Sequence, residues 1–308
     1  MLIRPLTPDD MDAAAGLINL DSSEPISGDD LRRRAEKYAA HLPYLREGAF
    51  EEDQLVGYAS TVVFENAVGG THYLRLNIHP DHRGQGLGQT LAERMEAHCA
   101  QHPTVPVIKC AVRDSDERSL AFAAQRGMTF SQHLFESECD LTQFTPHQFP
   151  SPHPDVTITN LAELGMSEEN LRELHRVTHL SDQDTPFAEE WGVMSWDDFE
   201  SDILKASWFR PGGAIVALCN GEWAGVHTVG PSADPLIATT DYTGVLREFR
   251  GKGIGMSVKV AGLAYAKSIG CERAITHNDS TNEPMLRINR TLGFKPQPGY
   301  MYFRRVNA

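Results

Sequence analysis

Apolar positions recur along the chain in patterns typical of helices that pack on a sheet. One stripe at four-residue spacing comprises Leu87, Leu91, Met95 and Cys99, and a second comprises Ile254, Val258, Gly262 and Ala266. Each stripe lies on one face of a helix, so each predicts an amphipathic helix whose apolar side is buried. A further helix is predicted from Met11 to Leu20, where Thr7 or Asp9 can serve as its N-cap.

Runs of β-branched and aromatic residues predict strands on both sides of the two stripes. In the first half they cover residues 55–64, 73–79 and 105–112, and in the second half residues 214–219, 223–229, 239–246 and 273–276. Asn220 and Gly221 separate two of these runs and predict a two-residue hairpin turn. Because strands and helices alternate, the pattern predicts an α/β fold containing a strand–helix–strand unit.

The same landmarks appear twice. RGQGLG begins at Arg83 and RGKGIG begins at Arg250, an offset of 167 residues. Gly127 and Gly293, each at the end of a predicted helix, are 166 residues apart. Gly57 and Gly225 lie 168 residues apart. Three independent offsets that agree within two residues predict a tandem duplication.

A proline-rich stretch separates the two copies. Four prolines fall between residues 146 and 154, a density that interrupts helices and central strands. We therefore expect an N-terminal domain at 1–144, a linker at 145–155 and a C-terminal domain at 156–308. The second copy has about twelve extra residues, which we assign to the segment from Ser181 to Pro211 on the substrate side.

Composition limits the classes of function. The chain has 308 residues with 28 Lys plus Arg against 42 Asp plus Glu, a formal charge of −14. This balance disfavours nucleic acid, including transfer RNA, and anionic membranes as partners. The five cysteines have no paired spacing, and no apolar run approaches about 18 residues. We expect a cytoplasmic protein, monomeric or homodimeric, with no metal site.

The glycine-rich loops predict an anion site. Each follows a predicted strand and opens a helix, so its glycines allow positive φ while the helix start presents unpaired N–H groups. Phosphate or pyrophosphate would bind there, with Arg83 or Arg250 as counter-charge. The dinucleotide fingerprint does not fit because the third glycine comes one residue early, and neither loop contains the GK[ST] of a P-loop.

This pattern resembles the acyl-CoA motif of the GNAT superfamily of N-acyltransferases, [QR]-x-x-G-x-[GA] between a strand and a helix. The resemblance covers both copies and implies two tandem GNAT-like domains, each a mixed, mostly antiparallel sheet flanked by helices around a central βαβ unit. It implies binding of acetyl-CoA by two sets of residues. These are Ile78, Arg83, Gly84, Gln85, Gly86, Leu87 and Gly88 in the first copy, and Val245, Arg250, Gly251, Lys252, Gly253, Ile254 and Gly255 in the second.

The tyrosine that usually protonates the departing thiolate in this family is missing from both copies. Ala123 stands in its place in the first copy and Asn289 in the second. An amide can donate a hydrogen bond but cannot deliver a proton. The thiolate then leaves unassisted or through water, or else Tyr302, Tyr300 or Tyr242 substitutes for the missing acid.

The second copy is the better candidate for catalysis. Its Asn278, Asn282 and Asn289 resemble an N-x-x-x-N-x-x-M-x-x-x-N variant of the family, which implies contacts with the cofactor. Asn282 can also cap the helix that follows it. For the base that deprotonates the amine we favour Asp241, on the strand before the loop, with Glu222, Glu248 and His277 as alternatives.

Two functions remain open at this point. One is an acetyl-CoA-dependent N-acetyltransferase that acts on a small primary amine by direct attack in a ternary complex. The other is a non-catalytic CoA-binding module used for sensing or assembly, which is compatible with the loss of the tyrosine in both copies. The carboxylate of Asp241, on the strand before the loop in the second copy, favours the N-acetyltransferase.

Overall fold

The computed structural model describes residues 1–22, 25–39, 43–63, 70–185 and 194–306. Two compact units are present: unit 1 comprises Met1–His133 with Tyr300–Ala308, and unit 2 comprises Leu134–Gly299. Each unit is a mixed α/β fold built around one mostly antiparallel sheet, as the sequence predicts.

Unit 1 contains the elements predicted for the first copy. Its strands are β1 (Leu2–Pro5), β2 (Tyr44–Glu51), β3 (Gln54–Val63), β4 (Thr71–Ile78) and β5 (Val107–Arg113), and its helices are α1 (Met11–Asn19), α2 (Gly28–Ala39), α3 (Leu87–Ala100) and α4 (Glu117–Gln125). Phe64 and Trp191, which fall within predicted segments, lie outside the described residues.

The sheet of unit 1 is covered by helices on both faces. Leu55 packs in a cluster with residues of α1, whereas the adjacent Val56 packs with Leu87, Leu91 and Met95 of α3. Neighbouring residues of a strand point to opposite faces, so α1 and α3 lie on opposite sides of the sheet. The predicted stripe on α3 is thus the face that is buried.

Unit 2 repeats this arrangement. Its strands are β6 (Thr129–Asp140, from Leu134 onward), β7 (Val156–Asn160), β8 (Ala214–Cys219), β9 (Glu222–Pro231), β10 (Ile237–Val245) and β11 (Arg273–Asp279), with β12 (Lys295–Val306) following. Its helices are α5 (Leu161–Leu164), α6 (Glu168–Asp182), α7 (Trp196–Phe199), α8 (Ile254–Ser268) and α9 (Glu283–Thr291). The turn between β8 and β9 has positive φ at Asn220 and Gly221, as the sequence predicts.

The strand orders of the two sheets correspond. Unit 1 runs β1-β2-β3-β4-β5-β12 and unit 2 runs β7-β8-β9-β10-β11-β6. In each unit the fourth and fifth strands are parallel, and the other pairs described are antiparallel. The parallel pair, joined by α3 or α8, is the βαβ unit expected from the sequence.

The last strand of each sheet comes from a distant part of the chain. Tyr300–Val306 of β12 pairs with β5 in unit 1, and Leu134–Asp140 of β6 pairs with β11 in unit 2. The structure therefore divides the chain differently from the boundaries predicted at residues 144 and 156. Strand patterns identify a strand but not its partner, so the sequence did not reveal this exchange.

The proline-rich stretch packs on unit 2. Phe144 is buried in its core, and its ring stacks on that of Phe149 at 5.5 Å between centroids. Lys267 on α8 donates hydrogen bonds to the carbonyls of Thr142 and Phe144, each at 2.9 Å. Within the segment of extra residues, α7 leads into a π-helical turn at Glu200–Leu204.

Candidate active site

In both units the parallel strands separate part-way along their length. β4 and β5 pair only over Thr71–Leu74 with Val107–Cys110, and β10 and β11 pair only over Ile237–Thr239 with Arg273–Ile275. All four strands continue beyond these pairs and are fully described. Their diverging edges leave backbone N–H and C=O groups that a ligand can pair with.

A glycine loop follows β4 and β10 at the open end. Gly84 and Gly86 have φ of +78° and +83°, and Gly251 and Gly253 have φ of +83° and +73°. A Cβ added at any of these four positions would meet no atom within 4 Å, so the glycines serve the backbone conformation and the space beside each of them is open. Because α3 and α8 begin directly after them, each loop presents free N–H groups to an anion.

The loop arginines are anchored in the same way in both units. Arg83 donates from Nε to the carbonyl of Ile78 at 2.9 Å, and Arg250 donates to that of Val245 at 3.0 Å. Each guanidinium also forms an ion pair at 2.7 Å, Arg83 with Asp21 and Arg250 with Asp184. The arginines therefore tie the loop to the end of the strand, and their role as counter-charge to a phosphate stays a prediction.

The remaining loop residues divide into exposed and buried positions. Gln85 donates to the carbonyl of Asp81 at 3.2 Å, and the ammonium of Lys252 lies 3.3 Å from the Cys219 Sγ. Leu87 and Ile254 begin their helices and are buried in the core. A Cβ at Gly88 would lie 3.7 Å from the Ile78 side chain, an ordinary van der Waals contact, whereas one at Gly255 would lie 3.3 Å from the Ile288 side chain, a tight one.

The opening in unit 2 contains a polar cavity of about 180 Å³. Its lining comprises Asp182, Thr185, Thr240, Asp241, Tyr242, Thr243, Lys259, Thr276, His277, Asn278, Asp279, Asn282 and Met285. This lining includes three carboxylates and one lysine, so acidic groups outnumber the cationic one and the wall is acidic on balance. Such a wall attracts a cationic ligand.

Asp241 lies at a bulge in β10. The pairing of β10 with β9 shifts register between Thr240 and Tyr242, which leaves Asp241 outside the ladder at the mouth of the cavity. Its carboxylate accepts a hydrogen bond from the Thr228 hydroxyl at 3.1 Å. Asp241 is exposed and therefore accessible to a ligand.

Of the other candidate bases, one lines the same cavity as Asp241 and two line a different one. His277 lines the same cavity, with its Nε2 3.2 Å from the Glu136 carboxylate. Glu222 and Glu248 line a separate cavity of about 470 Å³. Of the carboxylates considered from the sequence, Asp241 is the one that lines the opening between β10 and β11.

The asparagines predicted in unit 2 form a short polar connection. The buried Asn289 on α9 donates to the Oδ1 of Asn278 at 2.5 Å, and Asn278 lines the cavity. Asn282 accepts a hydrogen bond from the Met285 backbone N–H at 3.3 Å, so it caps α9 as expected. The structure thus brings Asn278 and Asn289 together, while Asn282 serves the helix start at the cavity edge.

The candidate tyrosines do not gather in unit 2. Tyr302 pairs with Ala111 of β5 in unit 1, where the Lys109 ammonium lies 4.7 Å from the centroid of its ring. Tyr300 belongs to unit 1 as well. Tyr302 was expected beside Asp241 and Asn289, but the exchanged strand places it in the other unit.

Tyr242 does line the unit 2 cavity, but its hydroxyl is already bound. Ser181 donates its proton to the carbonyl of Val177 at 2.6 Å, so in the 2.9 Å contact between Ser181 and Tyr242 the tyrosine is the donor. Burial also raises the pKa of Tyr242 far above its usual value. Its proton is directed toward α6 and away from the cavity.

Sequence reasoning missed Asp182 and Lys259. Burial raises the pKa of Asp182, which accepts a hydrogen bond from the Thr185 hydroxyl at 3.2 Å. Lys259, only 1% exposed, has its pKa lowered to about 7 by burial. The available signal was a lysine directly after Val258, next to the buried stripe of α8.

The opening in unit 1 is larger, with a cavity of about 470 Å³, but its carboxylates already form ion pairs or hydrogen bonds with other residues. Glu96 forms ion pairs with Arg126 at 2.7 Å and Arg305 at 3.3 Å. Asp116 caps α4 through Ser119. Ala123, at the position of the missing tyrosine, also lines this cavity.

Neither a metal site nor a membrane span is found in the described ranges. Within them, no group of three His, Cys, Asp or Glu side chains is arranged to hold a metal ion. No helix in this part of the chain combines the length and apolarity needed to cross a bilayer. The five cysteines are free thiols.

A sheet with one splayed parallel pair, followed by a glycine loop that opens a helix, is the architecture of an acyltransferase that binds CoA, and it occurs here twice. The acetyltransferase (GNAT) family model matches residues 14–128 and 174–294. The chain therefore belongs to the GNAT family and is an N-acetyltransferase with two tandem GNAT domains. The tandem fold expected from the sequence is confirmed.

Relatives and solved structures agree with this assignment. The chain is 27% identical over 248 residues to the mycothiol acetyltransferase of Arthrobacter sp. (strain FB24), covering 78% of this chain and 71% of the relative. It is 23% identical over 304 residues to that of Streptomyces coelicolor, covering 94% and 89%. A tandem GNAT protein from the clavulanic acid biosynthesis pathway has the same fold, with a TM-score of 0.78, 20% identity and coverage of 99% and 98%.

Proposed function

We propose that the protein transfers the acetyl group of acetyl-CoA to the primary amine of a small molecule, and that unit 2 carries the reaction. The observation that supports unit 2 is the cavity at the opening between β10 and β11, whose lining includes the carboxylates of Asp182 and Asp241. Unit 1 has the same loop and opening, but the Glu96 carboxylate in it is bound by two arginines.

Acetyl-CoA fits this site in three parts. The N–H groups of residues 251–255 would hold the pyrophosphate, because the glycine conformations leave that side open. The free edge of β10 beyond Thr239 would pair with the amides of the pantetheine arm. Asn278 and Asn282, on the cavity wall, would contact the arm near the thioester.

The reaction would proceed by direct attack in a ternary complex. Asp241, at the bulge of β10, would accept the proton of the attacking amine either directly or through a water molecule. A backbone N–H on the free edge of β10 would polarise the thioester carbonyl as negative charge develops on its oxygen.

The acceptor would be a cationic amine. An alkylamine carries a positive charge at neutral pH, and the acidic wall of the cavity would concentrate such a molecule at the site. Because the relatives are mycothiol acetyltransferases, a mycothiol-related amine is the first acceptor to test.

The test is acetyl transfer by the full-length protein, followed by mass spectrometry of the product across an amine panel that includes mycothiol-related compounds. Asp241→Asn should lower kcat by about 10²–10⁴-fold, the usual contribution of a general base. The control is Asp155→Asn, which changes an exposed aspartate of unit 2 that is distant from Asp241 in the sequence. Wild-type protein that binds CoA but acetylates no amine would contradict the proposal, as would full activity of Asp241→Asn.

We further propose that unit 1 binds CoA without turning it over. It has the loop, the free strand edges and a cavity of about 470 Å³, while Glu96 remains held by Arg126 and Arg305. Calorimetry with CoA should then show two sites on the wild-type chain. A single site that is lost in an Arg250→Glu variant would contradict binding by unit 1.

A further inference from the structure

Lys259 occupies an unusual position in unit 2. It lies in the middle of α8, is only 1% exposed, and lines the floor of the cavity between β10 and β11. Its ammonium lies 5.2 Å from the centroid of the Phe294 ring. Among the described residues, no hydrogen bond or ion pair to this ammonium is found. The ammonium therefore shares the cavity with three carboxylates but is in direct contact with none of them among the described residues.

A buried lysine without a partner destabilises a fold, because the charge loses its hydration and gains no ion pair. The fold itself does not require one at this place. Ala92, which precedes Lys259 by the same 167-residue offset as the loops, is buried on α3 and lines the opening of unit 1. The lysine is thus specific to the unit with the acidic cavity.

The titratable and hydroxyl groups that share the cavity with Lys259 or interact with it electrostatically come from five elements. They are Asp182 from α6, Cys139 from β6, His227 from β9, Thr240 and Asp241 from β10, and Thr276, His277 and Asp279 from β11. Asp241 is bound by Thr228 and Asp279 by Thr281, whereas the buried hydroxyl oxygen of Thr240 has no partner among the described residues. The cavity floor thus contains polar atoms available to a ligand.

The proposed reaction lacks a proton donor for the CoA thiolate. Asn289 stands in place of the family tyrosine and donates its amide hydrogen to Asn278. Tyr242 donates its proton to Ser181, and Tyr302 belongs to unit 1. With these groups unavailable, the thiolate leaves unassisted, through water, or with a proton from another group of the unit 2 cavity.

We propose that the Lys259 ammonium donates this proton, an inference that rests on the proposed function of unit 2. The amine nitrogen forms a bond to the carbonyl carbon, the C–S bond breaks, and its electron pair goes to sulfur. A proton then passes from Lys259 Nζ to the thiolate. Asp241 or water takes the proton of the amine, and water in the cavity reprotonates Lys259.

The pKa values of Lys259 and of a thiol favour transfer of the proton from nitrogen to sulfur. Burial lowers the pKa of Lys259 to about 7, whereas a free thiol has a pKa of about 8.5. The proton therefore moves downhill from nitrogen to sulfur. At neutral pH a large share of Lys259 still carries its proton, and that share falls as the pH rises through about 7.

The decisive comparison is Lys259→Met against Lys267→Met, in the full-length protein with acetyl-CoA and an accepted amine. Met keeps the length of the side chain but has no proton to give, and Lys267 lies two turns further along α8 with its ammonium bound to backbone carbonyls. We expect Lys259→Met to lower kcat at pH 7 by about 10²–10⁴-fold with KM for acetyl-CoA unchanged within threefold. Lys267→Met should retain wild-type kcat.

Two further measurements separate proton donation from a structural role. Lys259→Met should melt at a higher temperature than wild type, because it removes a buried unpaired charge. In the wild type, kcat at saturating substrates should fall as the pH rises through about 7, and this fall should be absent in Lys259→Met. The wild-type profile can be measured even if the variant does not fold.

The outcomes are distinguishable. Wild-type kcat without a fall between pH 6 and 9, or Lys259→Met with normal kcat, overturns the role of Lys259 while leaving the proposed function intact. A raised KM with normal kcat assigns Lys259 to binding and also overturns proton donation. Wild-type protein that acetylates no amine overturns the proposed function together with this inference.

Discussion

Two glycine substitutions in unit 2 can separate the effect of backbone strain on stability from the effect of the loop on ligand binding. Gly253 has φ of +73° and Gly270, after the C-terminus of α8, has φ of +97°. A Cβ at either position would meet no atom within 4 Å. Replacing either glycine by alanine therefore adds the left-handed backbone cost without a steric clash. Gly253→Ala and Gly270→Ala are a matched pair that differ in their distance along α8 from the proposed pyrophosphate site.

The expected magnitude follows from the backbone. A left-handed conformation costs a residue with a Cβ about 1–2 kcal/mol. In a domain of the size of unit 2, each kcal/mol lowers Tm by about 2–4 °C, so both variants should lose about 2–8 °C. At Gly253 the new methyl group would also occupy the open space beside the loop, where the pyrophosphate is proposed to bind. We expect KM for acetyl-CoA to rise at least about tenfold there, equivalent to about 1.4 kcal/mol.

The assay combines thermal unfolding with steady-state kinetics in acetyl-CoA. Gly270→Ala should show the loss of Tm with an unchanged KM, because its position lies at the other end of the helix. Equal KM values for the two variants would refute binding of acetyl-CoA at the Gly253 loop. A wild-type Tm for Gly253→Ala would refute the conformational cost, since the positive φ would then have no effect on stability.

Three other predictions follow from the same structure. Arg250→Glu should abolish CoA-dependent turnover, whereas Arg83→Glu should reduce thermal stabilisation by CoA and retain most turnover; comparable loss from Arg83→Glu alone would contradict catalysis by unit 2. Asn289→Ala should lower stability by about 1–3 kcal/mol in urea unfolding, because the Asn278 oxygen loses its buried donor. Burial lowers the pKa of His72 to about 4 from 6.5, so the folded state should lose up to about 3 kcal/mol as the pH falls from 6.5 to 4. A His72→Leu variant should show a shallower pH dependence, and an unchanged slope would contradict this assignment.

The sequence was sufficient for features that depend on local pattern. The repeat offsets predicted two units with the same order of elements, and the glycines predicted loops with positive φ before α3 and α8. Asn220 and Gly221 predicted the hairpin turn in the same way. In each case the residues that specify the conformation are those that adopt it.

Features that depend on distant partners could not be obtained in this way. Arg83 and Arg250 form ion pairs with Asp21 and Asp184, each more than 60 positions away in the chain. The partner of β12 is β5, which placed Tyr302 in unit 1. Burial of Lys259 results from the packing of α8 on the sheet of unit 2. Spacing along the chain does not indicate which of these tertiary contacts form.

The exchanged strand has a consequence for the order in which the protein is completed during synthesis. Tyr300 pairs with Arg113, so this edge of β5 stays unpaired until a segment 187 positions later in the chain has been synthesised. At the usual rate of translation this delay lasts about 10–40 s, during which an unpaired strand edge is exposed. The residues of unit 2 are continuous and emerge in full before that segment. Unit 1, which is translated first, is therefore the last to complete its set of strands.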